Sequence, residues 1–106
     1  MYFLIIARDR PGQEYKRDEL RPQRVAWLKQ NKNLLLSAGG MVDDQNRHVQ
    51  GGLMIVDAKN REEAERFAQT DPFVPTDLYE SLEVIRWRRV FFNYEQVIEP
   101  DPFAPD

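Results

Sequence analysis

The sequence predicts an α+β fold of the ferredoxin-like kind: a β-α-β-β-α-β chain that forms one antiparallel sheet with two helices on one face. Three observations predict it. A strand-length apolar run, YFLIIA, opens the chain; two further apolar runs, LLLSAGGMV and GGLMIVDA, flank a polar loop as in a hairpin; and a second helical segment precedes the alternating stretch LYESLEVIRW.

Tyr2–Ala7 ends at Arg8-Asp9-Arg10-Pro11-Gly12, the pattern of a central strand running into a loop. Residues 13–20 are charged and helix-permissive, but Pro22 disfavours helical angles at Arg21. The first helix is therefore expected to begin with Pro22 at its first position, with Val25, Trp27 and Leu28 as core-facing candidates. Leu34–Ser37 with the following AGGMV, and then GGLMIVDA, supply strands two and three. Asn60 is placed to cap a second helix whose first turn is acidic and whose Ala64, Phe67 and Ala68 recur at helical spacing. Asp71 and Pro72 are expected to start another helical turn, and Leu78–Trp87 forms the last strand.

Beyond Arg89 the periodicity fades and proline and acid accumulate. Residues 1–92 thus read as the domain and 93–106 as an acidic, Pro-rich tail that either wraps a neighbour or stays mobile. One face of the sheet packs on the helices, while the other carries apolar side chains that so short a chain has nothing left to cover. A homodimer is the expected solution.

Composition narrows the function. The 106 residues, 42% of them hydrophobic, suffice for one domain with a thin core. Fifteen Lys and Arg against 18 Asp and Glu leave a net charge of -3, which disfavours a nucleic-acid partner or a polybasic membrane anchor. The absence of cysteine excludes disulfides, thiolate nucleophiles and Cys-based zinc sites. The opening apolar run is too short for a secretory signal and no segment approaches membrane-spanning length, so a cytoplasmic protein is expected. Gly39-Gly40 and Gly51-Gly52 lack the strand-loop-helix setting and the lysine of a phosphate cradle, and read instead as bulges or close backbone approaches. No cofactor is expected. His48, with Asp43 and Asp44 nearby in sequence, matches no metal cage in spacing or count, so no metal is expected either.

The segments YFLIIARDRPG, RPQRVAWLKQ, AGGMVDD with GGLMIVDA, AERFAQTDPFV and ESLEVIRWRRVF, in this order and spacing, resemble the YciI-like (YCII-related domain) family over about residues 1–92. The resemblance implies a dimeric α/β-barrel, two sheets face to face with pockets between sheet and helices. It also implies lyase-, isomerase- or dehydrochlorinase-like chemistry on oxygenated compounds wherever members are catalytic. In that family a helix-one R-P-x-H-L signature pairs with the aspartate of a D-P-[FY] segment as a candidate catalytic dyad. Arg21, Pro22 and Asp71 match this pattern; Arg24 stands where the histidine would be.

That departure changes the chemistry. An imidazole exchanges protons near neutral pH, whereas a guanidinium stays charged and only donates hydrogen bonds or stabilises negative charge. In the first turn of a helix starting at Pro22, Arg24 would oppose the dipole by roughly 0.3–1 kcal/mol and so call for an anion, either Asp71 or a ligand's acid group. Arg21, Arg24 and Asp71 are therefore the candidate ligand-binding set, with Asp71 and Arg24 the candidates for any catalytic role. The plainer alternative is that Arg24 and Asp71 make a structural ion pair while Asp71 caps a helix. His48, in the hairpin loop, is a candidate loop contributor whose simpler reading is a solvated side chain. Function divides accordingly into binding of a small anionic or carbonyl-bearing metabolite, or a non-catalytic dimeric accessory module with a vestigial pocket.

Overall fold

A computed structural model describes residues 1–97. Strands β1 (Tyr2–Asp9), β2 (Leu35–Val42), β3 (Val49–Asp57) and β4 (Tyr79–Trp87) form a sheet of order β2-β3-β1-β4, with every pairing antiparallel. Helices α1 (Glu14–Gln30) and α2 (Arg61–Gln69) complete the β-α-β-β-α-β order of an α+β, ferredoxin-like fold.

The alternation along β1 sorts its side chains. Phe3, Ile5 and Ala7 are buried, and Phe3 and Ile5 join Met54, Val56, Ala58, Trp27, Ala64 and Ala68 in one core between sheet and helices. The opposite face, on which Leu4 and Ile6 pair with Ile55, Leu53 and Ile85, is only half-buried or exposed. In α2 the Asn60 side chain accepts from the Glu63 amide at 2.8 Å, satisfying an N-terminal donor, while Ala64 and Ala68 face inward. Phe67 stacks on Trp27 with ring centroids 4.8 Å apart, which joins the two helices.

The first helix departs from expectation. It begins at Glu14, eight residues before Pro22, and carries the proline in its interior. A proline there forfeits one backbone hydrogen bond and costs about 3 kcal/mol. The tertiary contacts of the early turns offset it: Arg17 makes two hydrogen bonds to Asp9, and Lys16 donates to the Thr76 carbonyl at 2.8 Å. Arg24 is consequently a mid-helix residue, and the first-turn dipole argument does not apply to it. The inward stripe of α1 is also not the aliphatic one: Trp27 is buried, but Val25 is exposed.

Two further local differences matter. Asp71 and Pro72 do not start a helix; they form a turn, and the short 3-10 helix that follows spans Val74–Thr76 with Phe73 at its N-cap. After β4, residues expected to be irregular form a small hairpin, β5 (Phe91–Phe92) with β6 (Glu95–Gln96), which crosses the boundary placed at residue 92. The rest of the expected tail, residues 98–106, lies outside the described residues. Among the described residues no helix is long and apolar enough to cross a membrane.

Candidate functional site

The site is built on two arginines of α1 seven positions apart, hence two turns apart on one face of the helix. Both side chains are 13% exposed and each has its own carboxylate. Arg17 binds Asp9, at the end of β1, through Nε at 2.7 Å and Nη2 at 2.8 Å, a fork-to-fork pair. Burial works against the Arg17 charge, and the hydrogen bonds and charge of Asp9 outweigh it, so its pKa is raised. Arg24 donates from Nε to Asp71 Oδ1 at 3.0 Å. Phe73, two residues beyond Asp71, lies under both cations, with the guanidinium carbons 4.7 Å (Arg17) and 5.6 Å (Arg24) from its ring centroid.

Among the described residues Asp71 is the most enclosed charged group, 2% exposed. Its Oδ1 accepts from Arg24 and from the Phe73 amide at 3.0 Å, and its Oδ2 accepts from the Tyr79 hydroxyl at 2.7 Å. Three donors thus surround one carboxylate, and it lines none of the cavities described below. Burial first, and then the adjacent Asp71 charge, push the Tyr79 phenol far above its ordinary pKa, so it remains an O–H donor.

Above this layer a pocket of about 170 Å³ lies between Arg17, Arg24 and Leu28 of α1 and Gly40, Gly52 and Met54 of the sheet. Among the described residues no carboxylate and no imidazole lines it. Arg24 borders this pocket with Nε committed to Asp71 and Nη2 donating to the Met54 sulfur at 3.8 Å. A larger cleft of about 490 Å³ opens at the end of the sheet. There Arg8, Arg10 and His48 line the wall together with Asp9, Glu14 and Glu80, and such mixed signs select no ligand charge. Asp9 borders that cleft and Arg17 borders the inner pocket, so their ion pair stands between the two.

The structure therefore brings Arg24 and Asp71 together. It leaves Arg21 on the solvent side of α1, paired with Asp18 at 2.9 Å, and leaves His48 exposed on the β2–β3 loop, outside the inner pocket. Arg17, Asp9, Phe73 and Tyr79 escaped the sequence reading as site residues. The signal for Arg17 was its seven-residue offset from Arg24, hidden by starting the helix at Pro22; the long-range partners Asp9 and Tyr79 have no local signal. Among the described residues no group of three or more metal-capable His, Asp or Glu side chains converges.

Comparison with known proteins agrees with this architecture. An uncharacterised protein of Haemophilus influenzae is 35% identical over 98 residues, covering 86% of this chain and all of that protein. Protein YciI of Escherichia coli is 31% identical with the same coverage. Among solved structures, the 5-chloro-2-hydroxyhydroquinone dehydrochlorinase of Burkholderia phenoliruptrix, in complex with 2,5-dihydroxybenzoquinone, superposes with a TM-score of 0.75 at 29% identity, covering 83% of this chain and 94% of that one. The YCII-related domain matches residues 1–88, and the chain belongs to that family, together with the YciI proteins.

Proposed function

We propose that this protein binds a small anionic or carbonyl-bearing metabolite, of single-ring size or smaller, in the pocket between α1 and the sheet, and does so as a homodimer. The observation that carries the reading is Arg24: a largely buried guanidinium, fixed along one edge by Asp71, bordering a cavity whose sheet side is four glycines with Ala38 and Met54. A guanidinium has five N–H donors, more than Asp71 and the Met54 sulfur take up, and such a fixed cation recognises a carboxylate, enolate or quinone oxygen by charge-assisted hydrogen bonds. A volume of about 170 Å³ is close to the ~150 Å³ that accommodates benzene. The ligand of the dehydrochlorinase neighbour, an oxygenated single ring, is of the same size and polarity class.

The same geometry argues for binding over proton-transfer catalysis. A guanidinium does not relay protons, Asp71 is enclosed by its three donors, and the Tyr79 phenol is held protonated. Arg24 is equipped to stabilise negative charge on a bound oxygen, with Asp71 as its positioning residue. Dehydrochlorinase-, lyase- or isomerase-like turnover would require a base that the inner pocket lacks among its described residues. The homodimer is supported by the sheet's outward face, where Leu4, Ile6, Leu53 and Ile55 are only half-buried and Ile85 is exposed.

Thermal melts against 2,5-dihydroxybenzoquinone, hydroxybenzoates and short 2-oxo acids test the reading. At a hundred times Kd a ligand adds about 2.7 kcal/mol, a rise of many degrees for a domain of this size. The rise is expected for at least one probe and is expected to vanish in Arg24→Ala and in Arg24→Lys, each compared with its own ligand-free melt. Arg24→Lys keeps the charge opposite Asp71 and removes the guanidinium fork. A wild-type protein unmoved by every probe, or variants that respond as it does, would favour the accessory-module alternative.

A further inference from the structure

We infer that the hairpin of residues 90–97 is an arm that clasps the second copy of the chain; the inference rests on the homodimer reading above. The hairpin is minimal. Phe91 pairs with Gln96 and Phe92 with Glu95, and the Val97 amide closes it on the Val90 carbonyl at 2.8 Å. A two-stranded hairpin alone is marginal in water. This one is further burdened, because its turn places Asn93 at φ 52° and Tyr94 at φ 68°, two successive left-handed residues of which neither is glycine. It also holds its apolar side chains in solvent: Tyr94 is fully exposed, Phe91 63%, Val90 57% and Phe92 37%. A strained turn, a minimal ladder and an exposed aromatic surface together indicate contacts that the single chain does not provide.

The geometry names the occupant. The root of the arm lies on the outward face of the sheet: Trp87 meets Tyr2 edge to face at 6.4 Å, and Arg89 lies over both Tyr2, at 4.8 Å, and Phe92, at 5.5 Å. Tyr2 shares its face of β1 with Leu4 and Ile6, so the aromatic surface of the arm continues the apolar face assigned to the second copy. In a two-fold pairing the arm of each chain, rooted beside Tyr2 at the margin of that face, packs on the other subunit. The family match ends at residue 88, before the arm begins.

Sedimentation equilibrium on the full chain tests this. The double variant Phe91→Ser/Tyr94→Ser is expected to raise the dimer Kd at least tenfold while leaving the circular dichroism spectrum unchanged. Tyr94→Gly is the sharper probe, because it relieves the left-handed backbone and keeps the turn: a purely local role predicts an unchanged or tighter dimer, the arm predicts a weaker one. A wild-type dimer whose Kd moves less than twofold in both variants overturns the arm and leaves the homodimer reading standing. A wild-type chain that is monomeric at millimolar concentration overturns the homodimer reading, and the arm with it.

Discussion

Replacing Asp71 with alanine is expected to cost about 3–5 kcal/mol of unfolding free energy, because it strands the Arg24 guanidinium in the interior without its counter-charge. Arg24 is 13% exposed and Asp71 2%, so solvent screening relieves little of this. Two further donors, the Phe73 amide and the Tyr79 hydroxyl, lose their acceptor in the same substitution. Adding Arg24→Met to Asp71→Ala removes the stranded charge and is expected to recover part of the loss. It leaves about 1–3 kcal/mol for each donor that water cannot reach. Equilibrium urea unfolding of the wild type, both single variants and the double measures the coupling. A loss below 1 kcal/mol for Asp71→Ala would show the pair to be screened and would remove the ground for treating Asp71 as the positioning partner of Arg24.

That pair also marks the limit of what the sequence disclosed. The element order was legible because it rests on local patterns: the continuous apolar run of β1, the period-two alternation of β4, the loop between β2 and β3, and Asn60 ahead of an acidic turn. The Arg24–Asp71 juxtaposition was implied by the resemblance to a family in which the R-P-x-H-L and D-P-[FY] segments pair. The start of α1 was not legible. Pro22 gives a local veto at Arg21, and the contacts that override it, Arg17 to Asp9 and Lys16 to Thr76, join residues that only the fold brings together. The same error hid the real inward stripe of α1, where Arg17 and Arg24 occupy positions that hydropathy assigns to water. A buried arginine is cheap only beside its carboxylate, and Asp9 and Asp71 lie on other elements. The hairpin at 91–96 was missed because its turn, Asn93-Tyr94, lacks the glycine by which such turns are recognised.

Neighbouring glycines on β3 are expected to give opposite results on substitution. A Cβ at Gly51 would overlap the Ala7 carbonyl oxygen and come within 2.6 Å of the Met41 terminal methyl. The methyl can swing aside. The carbonyl belongs to the backbone of β1, held in register by the pairing of Arg8 with Gly51 and of Ala7 with Gly52, so relief requires opening the centre of the sheet. Gly51→Ala is therefore expected to cost roughly 3 kcal/mol, the upper end of overpacking, and to lower Tm with or without ligand. At Gly52 the nearest atom to a Cβ is the Gly39 carbonyl oxygen at 3.6 Å, an ordinary contact, so packing does not demand glycine there. Gly52→Val restores strand propensity and sheds the entropic cost of glycine, and should leave stability unchanged or up to about 1 kcal/mol higher. Its methyl groups enter the pocket bordered by Arg17 and Arg24, and the ligand-dependent rise in Tm should be lost. A Gly52→Val protein that folds and still responds to ligand like the wild type would mean that the ligand sits elsewhere, with the 490 Å³ cleft beside His48 the next place to look.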